Sequence, residues 1–196
     1  MQYKSQGGQD EWICQMLENK HEGYFIDIGA CDGISFSNTH VLEKELGWTG
    51  LCFEPARIPF KNLKRIRDCI CINKAVFNND GIVGFMEYAE DKYRGNITDI
   101  KFFDTGIQYE IESINFISLL KKYNCPKVID YISLDVEGLE YEILAGFPFE
   151  EYISKLWTIE YNDNRDKIRE LMISKEYSIV PDHIKKADWE DWFYYG

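Results

Sequence analysis

The chain reads as an α/β fold, a doubly wound and mostly parallel sheet with helices on both faces, on three observations. Short β-rich apolar runs alternate with amphipathic helical stretches along the whole sequence. Four of those runs end on an acid, at Asp27, Glu54, Asp135 and Glu160. The first run breaks at once into a glycine turn, Gly29-Ala30-Cys31-Asp32-Gly33, the way a parallel strand hands over to a helix.

Taken in order, Ser5 to Asn19 carries Trp12, Ile13, Met16 and Leu17 on one side and predicts a helix. Tyr24 to Ile28 is the first strand, and a helix starting near Ser35 to Asn38 runs to Leu46, closed by Gly47. Gly50 to Phe53 is a second strand. Arg57 to Arg67 is a helix with Phe60, Leu63 and Ile66 inward and Lys61, Lys64, Arg65 and Arg67 on a solvated face. A strand follows at Cys69 to Val76, and Asn79-Asp80-Gly81 turns into another near Ile82 to Tyr88. Ala89 to Tyr109 is polar and aperiodic and predicts a long loop or lid bearing Arg94, a place for substrate specificity. Ser113 to Tyr123 is a serine-capped helix with Phe116, Leu119, Leu120 and Tyr123 at helical spacing. Then come a strand at Tyr131 to Leu134, a short helix at Glu140 to Ala145 before Gly146 and Pro148, and a strand at Leu156 to Glu160. A helix at Arg165 to Lys175, a strand at Tyr177 to Val180, a turn at Asp188 to Asp191 and an aromatic strand near Trp192 to Tyr195 complete the chain.

With 196 residues, 45% of them hydrophobic, the chain can bury one sizeable core, and no linker or repeat divides it, so a single domain is expected, either alone or as one domain of a larger glycan-modifying protein. The 22 Lys and Arg are outnumbered by 34 Asp and Glu, a net charge of −12 that disfavours a nucleic-acid partner. No apolar run has signal-peptide or membrane-span length, which predicts a cytoplasmic protein. Cys52, Cys69 and Cys71 fall in apparent core strands, and the Cys69-x-Cys71 spacing points the two thiols to opposite faces, so they are not expected to share a metal.

In a doubly wound sheet, ligands bind outside the carboxyl ends of the strands, where the four terminal acids would converge. Glycine at the first turn lets backbone approach a ligand, and free N–H groups at a helix start attract a carboxylate or phosphate. Glu54, about 25 residues past Gly29, is placed to take ribose hydroxyls. Glu137 reads either as a catalytic acid or as a carboxylate at a helix start, and Glu160 either as a site residue or as an ion-pair partner of Lys155 or Arg165. His40 beside the loop either packs or takes part in catalysis, while the aromatics Trp189 and Trp192 to Tyr195 either form a core face or stack on a sugar.

These residues together resemble a known family: Ser5-Gln6 with Gly8-Gln9-Asp10, Phe25-Ile26-Asp27-Ile28-Gly29-Ala30-x-Asp32-Gly33, Ser37-Asn38-Thr39, Gly47-Trp48-x-Gly50, Glu54-Pro55 and Leu134-Asp135-Val136-Glu137-Gly138. The set resembles FkbM-type methyltransferases. The resemblance implies a Rossmann-like class I fold dependent on S-adenosylmethionine (SAM), with seven strands of which the last is antiparallel, and O-methylation of a sugar, glycan or small glycosylated metabolite. Carried over, it implies that Gly29 and Ala30 line the methionine portion of SAM within a cofactor loop running to Gly33, and that Ser35 or Asn38 meets its carboxylate. It further implies Glu54 at the ribose, Ala75 at the adenine, Asp27 orienting the loop, and Asp135 and Glu137 facing the methyl group and acceptor.

A sugar hydroxyl is a poor nucleophile and needs a base or a divalent ion, so Asp135, Glu137 and Glu160 are the expected catalytic acids. Asp135, Glu160 and Asn162 are an expected oxygen-ligand set for Mg²⁺ or Mn²⁺. Two other classes fit less well. An NAD-dependent oxidoreductase would need GxGxxG spacing that Gly29 to Gly33 lacks. A non-catalytic binding or interaction module of the same fold would not need the acids at 135, 137 and 160.

Overall fold

A computed structural model describes residues 1–88, 95–97 and 106–196. In chain order the elements are α1 (Gln9–Met16), β1 (Tyr24–Ile28), α2 (His40–Leu46), β2 (Thr49–Phe53), α3 (Arg57–Ile66), β3 (Ile70–Ile72), β4 (Ala75–Val76), β5 (Gly81–Tyr88), β6 (Gly95–Ile97) and β7 (Gly106–Ile114). They continue with α4 (Phe116–Lys122), β8 (Val128–Leu134), α5 (Glu140–Ala145), β9 (Ile153–Glu160), α6 (Arg165–Ser174), β10 (Tyr177–Ile179) and β11 (Glu190–Tyr195).

The main sheet has seven strands in the order β10-β11-β9-β8-β1-β2-β3. Strands β3, β2, β1, β8 and β9 pair parallel, and β11 alone runs against its neighbours β9 and β10. This is a Rossmann-like, doubly wound sheet with an antiparallel last strand. Because β1 pairs with β2 on one side and β8 on the other, the chain reverses its direction of travel across the sheet there, and a crevice opens at the carboxyl ends of these strands.

Alternation along β1 assigns the two layers. Ile26 and Ile28 face a core built with Phe116, Leu119 and Leu120 of α4, Ile143 and Leu144 of α5, and Ile168 and Met172 of α6. Phe25 faces the opposite core, with Trp12 and Ile13 of α1, Val41 and Leu42 of α2, and Leu63 of α3. The terminal aromatics belong to these cores: Trp192 and Phe193 are buried, and Trp12 and Trp192 pack with ring centres 4.9 Å apart.

Several boundaries differ from expectation for local reasons. Helix α1 starts at Gln9 because Gly8 is left-handed and Asp10 captures Ser5 and Lys4 in a separate strap. The loop after β1 stays irregular through Asn38, so α2 begins at His40. The expected strand from Cys69 to Val76 is two strands in different sheets: the Asn73 amide donates to the Glu54 and Pro55 carbonyls and turns the chain between them. Helix α4 is capped by Asn115, whose side chain accepts from the Ser118 N–H at 2.9 Å, while Ser113 ends β7. Glu190 and Asp191, expected in a turn, are strand residues paired with β9. Cys69 lies before β3 with its thiol 3.5 Å from that of Cys52, and the Cys71 thiol turns back onto the Cys69 carbonyl, so the two are not on opposite faces.

The largest departure is a second sheet, order β4-β7-β5-β6, where a loop was expected. Its inner face, Val83, Phe85, Ile97, Tyr109 and Ile111, packs on Ala56 and Ala75. Arg94 and most of the expected lid lie outside the described residues. Among the described residues no helix is long and apolar enough to cross a membrane.

Candidate functional site

The ends of β1, β2 and β8 are laced together before any side chain is considered. Gly29 and Ala30 both donate to the Phe53 carbonyl at 3.0 Å, and Asp135 N donates to the Ile28 carbonyl at 3.0 Å. Gly29 (φ +89°) sits so close to β8 that a Cβ would lie 1.8 Å from the Asp135 carbonyl oxygen, which excludes any larger residue. Above this seam opens a cleft of about 1140 Å³, at the upper end of the range for small-molecule sites.

Of the residues expected at a cofactor, Asp27, Gly29, Ala30, Ser35, Asn38, Glu54, Ala75 and Asp135 line the cleft, and Glu137 lines it as well. Gly33 does not: its left-handed backbone (φ +80°) is packed under the loop against Leu63 and Arg67, where a Cβ would collide. Ser35 is not at a helix start either. Its N–H and hydroxyl bond the Asp32 carboxylate, closing a turn.

Glu54 is buried at the end of β2, and its two oxygens accept from Cys31 N and Ala56 N, both at 2.7 Å, joining the loops after β1 and β2. Burial lifts its pKa to about 7 against the lowering effect of those two amides, with Glu87 and Asp27 adding to the rise. Beyond it, Pro55, Ala56, Pro59, Ala75, Phe85 and Ile97 make an apolar slot between the start of α3 and the second sheet. Asn38 donates to the Ser133 hydroxyl at 3.0 Å, while its Oδ1 is buried and accepts no hydrogen bond. A buried acceptor of this kind is costly unless a ligand donor meets it.

The loop after β1 is held from beneath by a residue the sequence reading placed in solvent. Arg67 is fully buried, pairs with Glu43, donates to the Thr39 hydroxyl at 3.0 Å and reaches Ser37 and the Gly33 carbonyl. Thr39 in turn donates to Asp27 at 2.5 Å. Asp27, Thr39, Arg67 and Glu43 therefore form one buried polar chain that fixes the loop. His40 does not line the cleft.

On the β8 side, Asp135 faces the cleft. Enclosure by protein first, and the carboxylates of Glu160, Glu137 and Glu140 next, hold its pKa well above the ordinary carboxylate range. Glu160, behind it, is raised to about 7 by burial and by Glu137 and Glu140, against hydrogen bonds from Asn162 and Asp135. The residue missed from sequence is Glu140. Fully buried, it accepts from Val136 N and Gly138 N at 3.0 Å and so shapes the loop carrying Asp135 and Glu137, where Glu137 is left-handed (φ 62°). Among the described residues, Asp135, Glu140 and Glu160 are the group of acids, histidines or cysteines whose ligand atoms all lie within 4.8 Å of one another. Asn162 instead donates its amide to Glu160 (2.9 Å) and Glu140 (3.3 Å), so the third ligand place falls to Glu140. An acid two residues after Gly138, in the first turn of a helix, was the available signal.

These features suit a cationic nucleoside. The buried acid at ribose distance along the fold, the apolar slot beside it and the unmatched Asn38 acceptor fit the nucleoside and ammonium of SAM, whereas a rim of Asp27, Glu54, Asp135 and Glu137 repels a pyrophosphate.

No curated protein matches the chain in sequence. Among solved structures the fold is similar to the METTL16 MTase domain, at a TM-score of 0.53 and 10% identity over 93% of this chain and 63% of that one, and the human METTL16 N-terminal domain has been solved in complex with SAH. This chain thus spans under two thirds of that domain's length. It is similar as well to a protein of the NADB-Rossmann superfamily from Streptococcus agalactiae, with TM-score 0.53 and 10% identity over 100% of this chain and 70% of that one. A third is a precorrin-6y C5,15-methyltransferase from Geobacter metallireducens GS-15, at 0.50 and 10% over 94% and 84% of the two chains. At such identities the likeness concerns the fold. The model of the methyltransferase FkbM domain matches residues 27–188. Because that match runs from the acid of β1 to the segment before β11, the chain belongs to the FkbM methyltransferase family.

Proposed function

We propose that the chain is a SAM-dependent O-methyltransferase acting on a hydroxyl of a sugar, glycan or small glycosylated metabolite. The observation that carries this reading is the coupled acid pair Asp135 and Glu160 at the end of the same cleft that holds Glu54. SAM supplies an electrophilic methyl group. Glu54 takes the ribose hydroxyls, Ala75 and the apolar slot receive the adenine, Asn38 accepts from the ammonium, and Gly29 gives the close backbone approach. In-line transfer is favoured mainly by holding the acceptor oxygen in line in a water-poor site, which the second sheet's inner face and the loops after β1 and β8 provide.

The acceptor proton needs a destination. A carboxylate whose pKa lies near 7 is matched to that task, and the Asp135–Glu160 pair titrates in this range as a unit. Glu137, on the same loop, faces the acceptor side. The same acids, with Glu140, are a hard oxygen set suited to Mg²⁺ or Mn²⁺, which would lower the acceptor hydroxyl's pKa. The acceptor wall is Phe85 and Ile97 of the second sheet, an apolar surface beside hydroxyl-binding carboxylates, as a sugar ring requires. We place the protein in the cytoplasm, without a nucleic-acid partner.

Calorimetric titration with SAM, SAH and NAD, on wild type and Glu54→Ala, with and without Mg²⁺ or Mn²⁺, tests the reading. Micromolar binding of SAM and SAH that is lost in Glu54→Ala is the expected result, followed by methylation of sugar acceptors. A folded wild type that binds neither overturns it, and activity that survives exhaustive chelation removes the metal alone.

A further inference from the structure

The motif Ser5-Gln6 with Gly8-Gln9-Asp10 lies outside the matched family region and has no part in the site so far. The structure shows it as a built strap. Asp10, fully buried, accepts from Lys4 N (2.6 Å), Ser5 N (3.1 Å) and the Ser5 hydroxyl (2.5 Å). Gln9, also buried, accepts from Gly7 N at 2.8 Å and donates to Glu190 of β11 at 2.5 Å, where Glu190 is held in turn by the Trp192 indole at 2.6 Å. Ser5 forms a parallel β-bridge with Phe36 on the loop after β1. Every polar side chain of the strap is thus committed to holding it in place except Gln6, which lines the cleft and has no hydrogen-bond partner among the described residues.

We propose that Gln6 is a ligand contact for the amino-acid end of SAM, its carboxamide donating to the ligand carboxylate, and that Asp10 is the residue that positions it. This rests on the SAM reading of the cleft. Two observations select that end. The bridge to Phe36 sets Gln6 beside Ser35 to Asn38, on the side of the cleft away from Ala75, Phe85 and Ile97 of the apolar slot. The other side chains there have their donors committed: Ser35 to Asp32, Asn38 to Ser133, while the Ser37 hydroxyl receives the Thr39 and His40 amides and Arg67. A carboxylate entering a rim that includes Asp27, Asp135 and Glu137 needs a donor that carries no negative charge, and the Gln6 amide offers two uncommitted hydrogens.

The test compares SAH with 5′-methylthioadenosine, which keeps the adenine, ribose and thioether but lacks the amino acid. Gln6 is exposed, so its truncation leaves the core intact. Gln6→Ala is expected to weaken SAH by about tenfold, the loss of one charge-assisted hydrogen bond, and to leave methylthioadenosine within about twofold. Asp10→Asn should reproduce the same selective loss through the strap. Unchanged SAH affinity in Gln6→Ala overturns the proposal, and so does an equal loss for both ligands, which would mean an effect on the nucleoside half or on folding. If wild type binds neither ligand, the SAM reading has failed and the proposal falls with it, a result distinct from binding without discrimination.

Discussion

Binding at Glu54 should be proton-linked, and the structure sets its size. The apo carboxyl is raised to about 7 by burial, with Glu87 and Asp27 reinforcing the shift and the Cys31 and Ala56 amides opposing it. A ribose diol donates, so it binds the ionised form and pulls the pKa down in the complex. Binding must then release a proton wherever apo Glu54 is protonated, and affinity falls as pH falls. From pH 8 to pH 6 the dissociation constant for SAH should rise by about tenfold, ~1.4 kcal/mol. At pH 7 about half a proton is released per ligand, measurable by calorimetry in buffers of different ionisation enthalpy. Asp135 and Glu160 titrate in the same window, so Glu54→Gln isolates the contribution: it binds more weakly at pH 8 and loses most of the slope. An affinity that stays flat between pH 6 and 8 with no buffer dependence would refute the assignment of Glu54 to the ribose.

Metal-free and ligand-free protein should lose stability as pH rises through neutrality. Asp27, Glu54, Asp135, Glu160 and Glu190 all have folded pKa values above their ordinary ones, so the folded state holds extra protons that are removed between about pH 5 and 7.5. Each kcal/mol so lost lowers Tm by about 2–4 °C, and a Tm that rises over this range contradicts the burial of these acids. Arg67→Ala leaves Glu43 buried and unpaired and should cost about 3–5 kcal/mol in urea unfolding, with SAH affinity falling as the loop loosens, whereas a change under 1 kcal/mol would show that the pair is not buried in solution. Gly29→Ala should destabilise by at least about 3 kcal/mol, because its Cβ meets the Asp135 carbonyl, and a folded variant of wild-type Tm would mean that the seam between β1 and β8 is more open.

What the sequence made legible was whatever local pattern decides. Strand β1 is apolar on both faces because both are covered, and its acid and glycine mark where the sheet ends. Residues whose roles depend on a distant partner were not legible. Arg67 continues the basic face of α3 in one dimension, but it stands one residue past the helix end, where Glu43 and Thr39 draw it inward. Glu140 reads as an ordinary first-turn acid until the loop folds back to offer it two amides. The second sheet carries its period-two pattern in two pieces, around Phe85 and around Tyr109 and Ile111, separated by a polar stretch that hides their pairing. Gly33 has the composition of a cofactor loop and the position of a packing residue.

The second sheet enters the chain between β3 and α4 and touches the main sheet's core through little more than Ala56 and Ala75. The acids for the reaction therefore come from one structure and the surface facing the acceptor from another, joined at a narrow seam. Exchange of residues 77–113 between family members is a change of substrate template that leaves the proton-handling machinery in place, so acceptor range and chemistry can be altered one without the other.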